Sequence, residues 1–215
     1  DLPVACFNVG YLEHTRKILQ CVCISCQRIC WDPGDDRVQT IINSRRGRGK
    51  DRLGAVYKAC RPRSTCARCG GPRGIVQRVA LTYRIDYNET ALNNLDSEER
   101  AFYTQPLYAE LVRSVFQFIP PDEQVHLGFK TEHARPVDLI ITRLVVPPAI
   151  IRPAISASEG SRARGQDDLT VKLQEINKRC IEIRNHMRGH NWDRHSMPLE
   201  AVDRVARLQF DVATL

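Results

Sequence analysis

From residue 167 onward the apolar positions keep a regular rhythm. Leu169, Leu173, Ile176, Cys180 and Ile183 recur in alternating steps of four and three. After the polar stretch 185–196 and Pro198, so do Ala201, Val205, Leu208, Val212 and Leu215. Each set lays one apolar stripe along a helix, the spacing of a coiled-coil seam. Asp167 or Asp168 can cap the first helix. Two seams joined by a short polar tip predict an antiparallel helical hairpin over 169–215. Upstream, Leu107, Leu111, Val115 and Phe118 share one helical face, with Pro106 at the start and Pro120-Pro121 at the end; a short helix over 122–127 follows. Residues 137–146 form a β-rich apolar run closed by Pro147-Pro148 and predict a buried strand, and 75–85 alternates as a strand does.

The remaining pattern is more broken. Phe7, Val9, Tyr11 and Leu12 open a segment that runs through a helical stretch into Cys21-Val-Cys-Ile-Ser-Cys26. Asp32-Pro-Gly34 signals a turn, and Asp35 or Asp36 can cap a helix running towards Arg45. Two glycines make 45–50 a loop, and a short helix is expected over 53–59. Residues 86–104 are polar and aperiodic, which predicts a linker, and 155–165 is a small, charged loop. The apolar runs 139–141 and 144–148 fall far short of the ~20 residues that a bilayer span needs. No charged-then-apolar leader is present, the chain does not begin with Met, and it stops at Leu215 within an apolar rhythm, so both ends are expected to be cuts within a larger protein.

Charge sharpens this division. The net charge is +7, yet residues 1–84 hold 16 Lys/Arg against 6 Asp/Glu, while 85–215 hold 16 against 19. Between Arg45 and Arg78 there are 11 basic residues and one acid, Asp51. Such an excess attracts phosphate backbones, through contacts that weaken steeply with salt. At 42% hydrophobic and 27% charged, the composition is that of a folded domain rather than a disordered chain.

Nine cysteines are the wrong number for a fully paired disulfide framework, and eight of them precede residue 70. Clustered thiols without an export signal point to a reducing compartment and a metal. Structural zinc takes four soft ligands in a tetrahedron, commonly as two pairs two residues apart. Cys23-Ile-Ser-Cys26 and Cys66-Ala-Arg-Cys69 have that form, 39 residues apart, and Gly70-Gly71 suits the tight turn after the second pair. Cys60 competes with Cys66 for the third place. Cys6 and Cys180 lie in apolar patterns and read as buried free thiols. His186, His190 and His195 fall in the hairpin tip without a metal-pair arrangement.

Several segments together resemble one family. Phe7-Asn-Val-Gly-Tyr-Leu12 with Cys21 to Cys26, Val56-Tyr-Lys-Ala-Cys60 with Cys66 to Gly70, Pro136-Val-Asp-Leu-Ile-Ile-Thr-Arg-Leu-Val-Val-Pro-Pro148, Ile151-Arg-Pro153, Asp167 to Leu173 and Leu208 to Thr214 resemble the clamp region of the largest subunit of multisubunit RNA polymerases. They occur in the family's order over nearly the whole chain, and the segment 136–148 is most similar to RNA polymerase III of eukaryotes. The resemblance implies an α+β, predominantly helical fold. It comprises a zinc-stapled clamp head (1–84), a linker or insertion (85–104), a small strand-containing clamp core (105–153), a lid-like loop (154–168) and a coiled-coil hairpin (169–215).

It further implies one structural Zn2+ on Cys23, Cys26, Cys66 and Cys69, with Cys60 matching a family cysteine that is not a ligand. The lid-like loop would lie against the RNA–DNA hybrid, with Arg162 and Arg164 on phosphates. The tip would dock initiation or elongation factors, through Arg188, His190, Trp192 and Arg194. Charge makes Arg45, Arg46, Arg48, Lys50 and Arg52 the first choice for duplex DNA. Partners would be the other polymerase subunits, the second-largest above all, and the setting the nucleus. The family's first clamp zinc motif and its catalytic Mg2+ loop are absent from this stretch, so no activity is expected of it alone. A free-standing zinc module that binds nucleic acid or protein is the competing class; a two-zinc interaction module would need eight interleaved ligands. No nucleophile motif, phosphate-cradling loop or apolar acid pair supports a hydrolase or redox enzyme.

Overall fold

The computed structural model describes residues 1–32, 34–44, 49–60, 64–156, 164–189 and 197–215. Helices dominate, with small antiparallel sheets, an α+β architecture in two compact units. One unit is Phe7–Ile140; the other joins Asp1–Cys6 to Ile141–Leu215. The chain passes between them at the two-residue strands β1 (Cys6–Phe7) and β4 (Ile140–Ile141). The first unit takes in most of residues 1–84 and of 105–153.

In that unit, helix α1 (Leu12–Cys21) buries Leu12, Thr15, Ile18 and Leu19. Asp35 caps α2 (Asp36–Asn43) by accepting from the Arg37 amide, and α3 (Gly49–Ala59) follows. Residues 75–85, expected as one strand, are a hairpin: β2 (Gly74–Val79) pairs with β3 (Thr82–Tyr87) around a turn in which Ala80 has φ 52°. Gln20 acts as an edge strand in miniature. Its Oε1 accepts from the Val76 amide at 2.8 Å and its Nε2 donates to the Gly74 carbonyl at 3.0 Å. The fully buried Tyr83 meets Phe7 edge-on at 4.9 Å and donates to the Leu12 carbonyl at 2.7 Å.

The residues expected as a linker carry α4 (Glu89–Leu92) and α5 (Ser97–Thr104). The signal lies in the capping box that Asp96 and Glu99 form around the start of α5, and not in an apolar stripe. Helix α6 (Ala109–Gln117) begins three residues after Pro106, because Leu107 stays extended and bridges Tyr83. It buries Leu111, Val112, Val115 and Phe116, whereas Phe118, expected on that face, follows the last helical residue and is exposed. Helix α7 (Pro121–His126) comes next.

The strand expected over 137–146 does not form as such. Pro136–Leu139 is a turn of 3-10 helix, with the Asp138 carboxylate accepting from the Arg135 amide, and strand geometry is confined to β4. Val145 and Val146 are exposed. Pro147 and Pro148, lacking amide protons, cannot extend a ladder there.

In the second unit, β5 (Ile155–Ser156) and β6 (Arg164–Gly165) pair antiparallel, so the segment expected as an open loop is closed at its base. Asp167 accepts from the Leu169 amide and caps α8 (Asp168–Gly189). Helix α9 (Leu199–Ala213) packs against it. His186 Nε2 lies 3.6 Å from a Glu200 carboxylate oxygen and Arg179 pairs with Asp211 at 3.6 Å, which shows that the helices run antiparallel. The expected stripe forms the core: Ile176, Cys180 and Ile183 meet Val205, Leu208 and Val212, with Val4 and Cys6 added from the N-terminal segment. Leu169 and Leu173 are only half-buried. Among the described residues, no helix is long and apolar enough to cross a membrane.

Candidate metal centre

The first cysteine pair begins where α1 ends. Val22, extended, bridges Ile29, which turns the chain back on itself around Cys23–Arg28. Within that turn the Cys23 amide donates to the Arg28 carbonyl and the Gln27 amide to the Cys23 carbonyl, both at 2.9 Å. The second pair repeats the pattern. Thr65 bridges Pro72, the Cys66 amide donates to the Gly71 carbonyl at 2.8 Å, and the Gly70 amide donates to the Cys66 carbonyl at 2.9 Å. Both turns need a left-handed residue four places after the first cysteine. Gly70 fills it in the second turn (φ 72°) and Gln27 in the first (φ 53°). Gln27 holds this less favourable conformation with its side-chain amide, which donates to the carbonyls of Ile24 and Ser25.

The two turns face each other closely. A β-carbon on Gly71 would lie 2.8 Å from the Ser25 hydroxyl, so any larger residue there must push that hydroxyl aside. Ser25 is in turn held by the Tyr103 hydroxyl of α5 at 2.7 Å. The four sulfurs of Cys23, Cys26, Cys66 and Cys69 lie within 4.8 Å of one another. Cys23 and Cys69 are 3.7 Å apart and Cys26 and Cys66 4.0 Å. Zinc–thiolate bonds of ~2.3 Å in a tetrahedron require sulfurs about 3.8 Å apart. Four thiols at that separation could hold a metal ion, and the fit is to a soft, tetrahedral one.

The thiols differ sharply in acidity. Cys23 is pulled down to about 4, first by the neighbouring Cys30 thiol and then, against the cost of burial, by the amides of Cys26 and Ser25. Burial pushes Cys26 and Cys69 up. Cys30 packs beside Cys23 and Cys66, and its thiol is held protonated, chiefly by the hydrogen bond to Cys23. Cys60 lies apart, hydrogen-bonded to Cys21, whose thiol burial drives far upward. Among the described residues, the four-cysteine set is the group that could hold an ion, and neither Cys60 nor a histidine belongs to it.

The other expected site residues have varied settings. Arg52 is half-buried, donating to the carbonyls of Ser44 (2.9 Å) and Ile41 (3.4 Å) and meeting His126 Nδ1 at 3.0 Å. Lys50 lies in α3, Arg164 in β6, and Arg188 is exposed in the last turn of α8. Arg45, Arg46, Arg48, Arg162, His190, Trp192 and Arg194 lie outside the described residues. Sequence reasoning missed Glu123 of α7, which reaches both cysteine turns from 94 or more residues away from the first.

The fold and the site define an α+β chain in which four thiols converge where they could hold a metal ion. The family model described as "RNA polymerase Rpb1, domain 1" matches residues 1–215, and the chain belongs to that family. It is similar to a protein of Acanthamoeba polyphaga mimivirus named "DNA-directed RNA polymerase subunit 1", with 27% identity over 194 residues. That match takes in 83% of this chain and 12% of the viral protein, so the chain spans about an eighth of its relative.

Proposed function

We propose that the chain is the clamp region of the largest subunit of a DNA-directed RNA polymerase, most like the eukaryotic class III enzyme and working in the nucleus. The observation that carries this is the convergence of Cys23, Cys26, Cys66 and Cys69 in a chain matched along its length by the family model. In this reading the four thiolates hold one Zn2+, which cross-links two turns that a small subdomain could not fix from its own core. The ion is structural: four protein ligands leave it no open position.

The clamp holds DNA and the RNA–DNA hybrid in the cleft, with Arg45, Arg46, Arg48 and Lys50 facing duplex phosphates and Arg162 and Arg164 the hybrid. Arg52 contributes there only by releasing the carbonyls it now binds. Arg188, His190, Trp192 and Arg194 at the hairpin tip receive initiation or elongation factors. The chain packs with the other polymerase subunits, the second-largest in particular. Nucleotidyl transfer belongs to a Mg2+ site elsewhere in the subunit, and this chain alone is inactive.

Elemental analysis of the wild type and of Cys66→Ser tests the centre: one zinc per chain is expected, lost in the variant. A well-folded wild type without zinc would refute it. Reversal of Arg45, Arg46 and Arg48 to Glu is expected to weaken salt-sensitive duplex binding, and unchanged affinity would move that contact elsewhere.

A further inference from the structure

Glu123 presents a problem that its own helix does not solve. Its side chain is 4% exposed, whereas its neighbour Asp122 stands in solvent. Burying a carboxylate costs several kcal/mol unless it is paired and hydrogen-bonded, and α7 supplies no partner for it. Its partners come instead from the two cysteine turns. The Ile29 amide, at the exit of the first turn, donates to Oε2. Arg28, whose carbonyl closes that same turn, approaches Oε1 at 3.3 Å. Arg68, between Cys66 and Cys69, approaches the same oxygen at 3.6 Å.

A single buried carboxylate thus touches both halves of the centre while ligating nothing. We propose that Glu123 is the positioning residue of the metal centre: it ties the Cys23–Cys26 turn to the Cys66–Cys69 turn, so that the four sulfurs converge. It pairs with one arginine from each turn, Arg28 and Arg68. This inference rests on the reading of the four cysteines as a zinc site and adds to it a residue that is not a ligand.

The test uses the full zinc-loaded chain and three variants: Glu123→Gln, Arg68→Gln and Val112→Ala. Val112 is fully buried in α6 and touches neither turn's closing hydrogen bonds, so it reports what lost packing alone does. Zinc release into excess chromogenic chelator is timed, and thermal unfolding is followed in parallel. Glu123→Gln is expected to bind one zinc and release it about tenfold faster, the scale of an outer-shell defect. Arg68→Gln, on a side chain that is partly exposed, is expected to release it a few-fold faster without loss of fold. Val112→Ala is expected to unfold at a lower temperature yet release zinc at the wild-type rate.

Wild-type release from Glu123→Gln, or equal release from Val112→Ala, would overturn the proposal. If Glu123→Gln does not fold, wild-type release from Arg68→Gln overturns it. A wild-type chain that binds no zinc would defeat the reading of the centre itself, whereas zinc bound and released identically by all forms would defeat only the role of Glu123.

Discussion

The helical pair and the cysteine turns reach order by different means. In the helical pair, a row of aliphatic side chains spaced four and three apart is enough: Ile176, Ile183, Val205 and Leu208 leave water together, and each contributes on the order of 1.5–3 kcal/mol. The cysteine turns have almost no such row. Their backbones are closed by a few hydrogen bonds, their facing surface is sulfur, and their buried charge comes from α7. The helical pair is stabilised by area and the cysteine turns by a small number of directed contacts, so the two should fail under different treatments.

Chelation should separate them most sharply. Excess chelator is expected to abolish amide protection around Cys23–Arg28 and Cys66–Gly71 while leaving it over α8 and α9; hydrogen exchange reads both at once. Uniform loss across the chain would mean that the units are not independent. Leu208→Ala is the converse experiment. It should cost about 2–5 kcal/mol of helical-pair stability in denaturant unfolding, with zinc content unchanged.

Gly71→Ala is finer. Its methyl group must displace the Ser25 hydroxyl, so a cost of about 1–3 kcal/mol is expected, seen as faster zinc release with the helical pair untouched. The smallest effect concerns His126, whose pKa is lowered by burial and then by Arg52, against the pull of Asp122 and Glu123. A histidine with a depressed folded-state pKa favours folding in its neutral form. The Phe7–Ile140 unit should therefore lose stability as pH falls below the ordinary histidine value of about 6.5. His126→Gln should flatten that slope, and an identical slope would exclude His126 as its source.

What could be read in advance follows the same contrast. The helical pair was legible because a 3.5-residue period is written locally, one turn after the next. The cysteine pairs were legible because two residues at fixed spacing carry the chemistry. Other features depend on contacts that no local window contains. Pro121-Asp-Glu-Gln124 reads as a solvated helix start, and only the fold brings Glu123 to Arg28 and Arg68. Arg52 reads as one of a run of surface cations, but the end of α2 and His126 give its guanidinium partners. Gln27 gave no sign of a left-handed backbone, because glycine is the residue that announces one. Residues 137–146 show the opposite error: β-branched composition suggested a buried strand where only Ile140 and Ile141 take strand geometry.

The repeated hydrogen-bond pattern of the two turns has a kinetic consequence. Each turn prearranges its own pair of sulfurs, so an ion can be captured by one turn alone, as a weak two-coordinate complex. The second pair, held opposite the first by the folded chain that carries α2 and α3, then meets the ion at an effective concentration far above that of a free thiol. Loss of the ion must reverse both steps, and a turn that lets go is returned to the metal faster than a free thiol could replace it. Residence time at such a centre would be set less by any one sulfur than by how seldom both turns open together.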